Sequence, residues 1–97
     1  MNVVSRRTLV DYWTKHPLAK GPLSAWYATA KAAEWKDTQD IRSQFNSVDF
    51  VADNRVIFDI GGNNYRLVVR VSYRFKQVLI KFIGSHAEYD RIDPRTV

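Results

Sequence analysis

Three runs rich in β-branched and aromatic residues follow one another between Arg55 and Ile83, and no other stretch limits the fold so tightly. Arg55 to Ile60 alternates, Gly61-Gly62-Asn63-Asn64 is a strong turn signal, Tyr65 to Tyr73 is a long strand, and Val78 to Ile83 follows the polar connection Arg74 to Gln77. Connections this short join neighbouring strands antiparallel, because a parallel return needs a dozen residues or more. The sequence therefore predicts a small antiparallel sheet of consecutive hairpins, against which the remaining elements must pack.

The first half is helical. After a short strand at Met1 to Val4, Ser5 is placed to cap a helix whose apolar residues Leu9, Val10, Tyr12 and Trp13 keep helical spacing until His16, before Pro17. Pro22 suits the first position of a second helix, striped by Leu23, Trp26, Tyr27, Ala30 and Ala33. Asp37 is a cap for a further short helix carrying Ile41 and Phe45, and helical spacing is lost near Asn46. At the other end Ser85 and Glu88 have the spacing of a capping box, opening a short helix at His86 that ends by Asp93, before Pro94. The expected class is α+β in the order β-α-α-(short α)-β-β-β-α, with a helical hairpin on one face of the sheet. No repeat or linker interrupts the 97 residues, a length suited to one core, so residues 1–97 are expected to form one domain.

Composition narrows the chemistry. The absence of cysteine removes disulfides, thiolate catalysis and cysteine zinc sites. No apolar run reaches membrane-spanning length and Met1 to Val10 lacks a signal-peptide core, so a cytoplasmic protein without membrane association is expected. A net charge of +5 favours polyanionic partners, through release of the counterions condensed on phosphates.

Along the long strand Leu67, Val69, Val71 and Tyr73 share one face, and Arg66, Val68, Arg70 and Ser72 the other. On the last strand strict alternation puts Ile80 with Phe82, and Lys81 with Leu79 and Ile83. Burying the purely apolar faces under the helices leaves a second face mixing aliphatic groups with Arg66, Arg70 and Lys81; these cations either meet a substrate or keep an exposed face soluble. His16, at a helix end, is set aside. His86 opens the last helix beside this face, with Tyr89 and Asp90 on the same side of the helix at i+3 and i+4. Such a set suits RNA cleavage by the substrate's own 2′-hydroxyl: a base for its proton, an acid for the leaving 5′-oxygen and cations for the phosphoryl charge. An imidazole moves protons near neutral pH, arginine binds phosphate in two-pronged fashion and tyrosine stacks on bases or donates a proton. Neither a cofactor nor a metal is expected, since the C-terminal segment offers one histidine, His86, with Glu88, explained as a cap, and Asp90, rather than a cluster of ligands. Gly61 and Gly62 lie in a hairpin turn rather than between a strand and a helix, so they do not form a phosphate-cradling loop.

The run Gly61-Gly62-Asn63-Asn64-Tyr65-Arg66-Leu67-Val68-Val69, with Ile80-Lys81-Phe82-Ile83-Gly84-Ser85-His86-Ala87-Glu88-Tyr89-Asp90, closely resembles HigB toxins of the RelE-like type II toxin–antitoxin class. The resemblance is strongest over Phe58 to Asp93 and looser before it. It implies a RelE-like fold whose concave sheet face binds RNA. It further implies cleavage of messenger RNA, typically on the translating ribosome, and neutralisation by a HigA antitoxin with a helix-turn-helix domain. Carried over by position, Arg66, Lys81, His86 and Tyr89 fall where such toxins keep basic and acid/base residues, with Asp90 beside them. Which is base and which acid stays open. Arg70 departs from the pattern, where apolar residues are usual; it adds a substrate contact or only solubility. Asn63 shapes the hairpin or touches RNA. Two further readings are a non-catalytic RNA- or ribosome-binding module that blocks translation by occupancy, and a corepressor bound to DNA through its antitoxin; no convincing helix-turn-helix supports direct DNA reading.

Overall fold

The computed structural model describes residues 1–97. Strand β1 (Asn2–Val4) leads into helix α1 (Arg6–Lys15), where the Ser5 side chain accepts from the Arg7 amide and the helix stops at His16. Pro17–Ala19 form a 3₁₀ turn that runs directly into α2 (Lys20–Ala32). The second helix thus begins two residues before Pro22, the expected first position. Pro22 is still tolerated, because the amide it lacks would have no intrahelical partner in the first turn. Asp37 caps α3 (Thr38–Gln44) by accepting from the Asp40 amide.

The sheet has five strands: β1, then β2 (Val48–Val51), β3 (Arg55–Ile60), β4 (Tyr65–Ser72) and β5 (Gln77–Ser85), in the spatial order β1-β5-β4-β3-β2. The β2–β3–β4–β5 pairings are antiparallel hairpins, while β1 adds to β5 in parallel. The antiparallel sheet expected from the sequence is therefore the larger part of a mixed one. The parallel edge is possible because α1 to β4 all intervene between β1 and β5, far more chain than such a crossover requires. Strand β2 escapes sequence reading, as its four residues are too few to show a period.

One face of the sheet carries the core. Val56, Phe58 and Ile60, with Leu67, Val69, Val71 and Val78, pack against Leu9, Trp13, Leu23, Trp26, Ala30 and Ile41 of the helices. Phe58 is its hub: its ring centroid lies 5.4 Å from Trp26, 4.8 Å from Phe45 and 6.3 Å from Trp35. The second face has its own apolar centre, since Ile57 and Val68 are also buried but lie outside that cluster. The C-terminal segment lies along this face, meeting Arg66 through Tyr89 and Arg55 through Val97. It opens with α4 (His86–Tyr89), closed by the expected capping box of Ser85 and Glu88, and continues to Val97, whose main-chain oxygen accepts from Arg55 Nη2 at 2.9 Å.

A bulge in β5 changes which residues share a face. Val68 stands opposite Phe82 and Val69 opposite Ile80, so Lys81 has no partner across the ladder. Ile80 therefore stays with the core while Phe82 turns to the second face, and Ile83, opposite Leu67, returns to the core. Strict alternation had joined Ile80 to Phe82 and Lys81 to Ile83; one inserted residue reverses the count.

Candidate functional site

The β3–β4 hairpin places the first functional group. Gly61 and Gly62 both have positive φ, at 62° and 69°, which lets four residues close the loop so that Ile60 faces Tyr65 and Asp59 faces Arg66. Asp59 holds Arg66 Nη1 at 2.9 Å and accepts a hydrogen bond from the Ser47 hydroxyl, while Arg66 Nη2 donates to Asn63 Oδ1 at 2.7 Å. The Arg66 guanidinium is mostly covered, its side chain only 13% exposed. Its carbon lies 5.9 Å from the centroid of the Tyr89 ring, brought there by α4.

Gly84 explains how α4 comes so close. It stands opposite Arg66, and a methyl group built on it would lie 2.5 Å from the tip of the Phe82 ring and 3.1 Å from the Glu88 side chain. With no side chain there, Phe82 packs near Tyr89, ring centroids 6.5 Å apart. Burial raises the Tyr89 pKa above that of a free phenol, and the Asp49 carboxylate adds to the rise against the opposing pull of Arg66. Tyr89 is thus a neutral phenol at neutral pH, a hydroxyl that can donate.

On the first turn of α4, His86 Nδ1 meets Asp90 Oδ2 at 3.2 Å, both side chains being largely exposed. With Nδ1–H donating to this carboxylate, the Nε2 lone pair is left free to accept a proton. The same helix is tied to α1 from its other side, for Tyr12 donates its hydroxyl to Glu88 Oε1 at 3.3 Å. His16, set aside from the sequence, stacks on the Tyr12 ring with centroids 4.2 Å apart.

Arg66 is therefore in reach of both Asn63 and Tyr89, and His86 and Asp90 form a pair on the short helix that carries Tyr89. Lys81 is exposed at the bulge and joins no ion pair or side-chain hydrogen bond. Arg70 is not part of the cluster. It stands opposite Leu79 toward the other end of β4, where its Nη2 is 3.1 Å from Asp53, a carboxylate that also binds the buried Arg55 at 3.2 Å. Sequence reading missed Asp59, Ser47 and Gly84. A signal for Asp59 existed: closing a four-residue loop at Gly61 to Asn64 pairs the second residue before it with the second after it, which are Asp59 and Arg66. The chain brings no group of three His, Asp or Glu side chains together to hold a metal ion.

A five-stranded sheet with a helical pair on one face, and on the other a short C-terminal helix closing over a basic, aromatic cluster, is the RelE-like toxin fold. Residues 19–92 match the HigB toxin family, described as the RelE-like toxic component of a toxin–antitoxin system, and the chain belongs to that family. Among relatives, the mRNA interferase HigB of Escherichia coli (strain CFT073) is 28% identical over 94 residues, which cover 95% of this chain and 91% of that protein. The mRNA interferase HigB of Shigella flexneri is 28% identical over 92 residues, 93% of this chain and 88% of that protein.

Proposed function

We propose that the chain, acting as one domain, is an endoribonuclease that cuts messenger RNA on the translating ribosome in the cytoplasm, without a metal. A HigA-type helix-turn-helix antitoxin holds it in check. The observation that carries this reading is the hydrogen-bonded Arg66–Asn63 pair under Tyr89, with His86 and Asp90 one turn away, in a chain whose relatives are named mRNA interferases.

In this mechanism His86 Nε2 takes the proton of the 2′-hydroxyl, with Asp90 holding the ring and stabilising the imidazolium. The 2′-oxygen forms its bond to phosphorus as the bond to the 5′-oxygen breaks, leaving a 2′,3′-cyclic phosphate. The leaving oxygen takes the Tyr89 proton. Arg66 and, from the bulge, Lys81 stabilise charge on the phosphoryl oxygens. Asn63 keeps the Arg66 fork turned toward the phosphate, and no cofactor enters the balance.

Mapping transcript ends after brief expression tests the reading. New internal ends bearing cyclic phosphate are expected with the wild-type chain, reduced about 10²-fold or more in Arg66→Ala and in His86→Gln. Translation arrest with intact messages would instead mean inhibition by occupancy, and normal cutting by both variants would place the chemistry elsewhere.

A further inference from the structure

The end of the second face remote from Arg66 carries residues that the mechanism does not use. Past Arg70 and Ser72 the chain turns into β5, and Phe75 at that turn is 70% exposed. The Arg74 guanidinium lies 5.4 Å from the centroid of the Phe75 ring. With Asn54, Arg70, Ser72 and Leu79 these two rim a depression of about 560 Å³. A single exposed Phe is ordinary; its surroundings here are not. Arg74 has no carboxylate partner, and Arg70 has only the exposed Asp53, an ion pair too weak to keep a phosphate away.

We propose that Arg70, Arg74 and Phe75 form a second RNA subsite, in which Phe75 stacks on an unpaired base and the two arginines hold flanking phosphates. The proposal rests on the reading of the Arg66 cluster as an RNA site and extends it. Arg66 and Arg70 are four residues apart on one strand, about 13 Å at the usual rise, and point to the same face. Val68 between them is buried, but Lys81 stands exposed at the bulge between their levels on the neighbouring strand and supplies a cation midway. Continuity with the Arg66 cluster, together with these cations, selects a single-stranded polyanion over a protein partner. Because every base has a stackable face, the subsite adds affinity and sets the position of a longer RNA without choosing its sequence.

The test uses the full chain and fluorescent 2′-O-methyl oligonucleotides, which lack the nucleophile, in a length series from dinucleotide to decanucleotide read by anisotropy. Affinity is expected to step up once the oligonucleotide reaches the β4–β5 turn. Phe75→Ala should remove about 10-fold or more of that step, Phe75→Trp should keep it, and neither should change dinucleotide binding. Arg74→Ala should flatten the salt dependence for long oligonucleotides by about one phosphate contact. A step that survives Phe75→Ala overturns the proposal, as does a wild-type chain with no step. Transcript-end mapping separates the two readings: cutting by wild type with no Phe75-dependent step removes the subsite alone, and a Phe75-dependent step without cutting removes the nuclease alone.

Discussion

Arg66 shows what a residue type conveys and what only its neighbours decide. An arginine on a half-aliphatic strand face reads from the sequence as a phosphate ligand, but in the fold it already has a carboxylate, since Asp59 holds one arm of its fork and Asn63 the other. On the proposed reading, a phosphate competes with Asp59 for the same donors. Replacing Asp59 with Asn keeps a hydrogen-bond acceptor while removing the charge. RNA is then expected to bind several-fold more tightly, through the unneutralised guanidinium, and to be cut several-fold more slowly, because the fork is held less firmly. Measured as KM and kcat on one substrate, both should fall; a KM that rises would show that Asp59 is not a competitor of the phosphate. Asp53 plays a similar part for Arg55 and Arg70, so three arginines of the second face are matched by aspartates. Charge counting along a strand exposes the cations but not the acids brought opposite them by register.

Among the elements, the start of α4 is legible in the sequence to the residue, because a capping box is local and Ser85 and Glu88 carry it alone, whereas its end comes at Tyr89, short of the Asp93 limit set by Pro94. What holds α4 in place is not local. Tyr12 reaches Glu88 across the sequence, and burial, reinforced by the Glu88 charge, pushes the Tyr12 pKa up to about 12. The Ser85 amide, opposed by partial burial, pulls the Glu88 pKa below its usual value. A phenol whose pKa is raised by folding contributes stability that is whole below its unfolded pKa of 10.0 and is lost as pH rises toward about 12. A carboxylate whose pKa is lowered contributes above its unfolded value, about 4.5, and ceases to as pH falls through the folded one. Thermal melts of wild type and Tyr12→Phe should therefore diverge least above pH 10, where wild type loses this share of its advantage. An equal gap at neutral pH and at pH 11 would show that the contact does not tie α4 down. The strands were legible unevenly: β3, β4 and β5 announce themselves by composition and turns, whereas β2 is too short and the β5 bulge is a register event that alternation cannot reveal.

At the scale of the whole molecule the sheet divides its work between two faces, and that division can be tested by mutating one and assaying the other. Phe58 sits on the helix-covered face, 1% exposed and ringed by Trp26, Trp35 and Phe45. Its neighbour in the strand, Asp59, turns to the opposite face and holds Arg66. Phe58→Ala removes a large ring from a close-packed centre, which costs about 3–5 kcal/mol in stability, a large share of the roughly 5–15 kcal/mol of a typical domain. For a chain of this length that corresponds to a fall in melting temperature of about 4–8 °C for each kcal/mol. The pocket left behind faces the helices and not the Arg66 cluster, so cleavage per folded molecule, measured well below the melting point, should stay within a few-fold of wild type. Arg66→Ala should do the reverse, removing the cleavage while lowering the melting temperature less, because the Asp59 left without its cation is 22% exposed and keeps the Ser47 hydrogen bond. If Phe58→Ala instead lost activity in parallel with Arg66→Ala while still folded, the two faces would be mechanically coupled through β3, and the helical layer would be part of the site rather than its support.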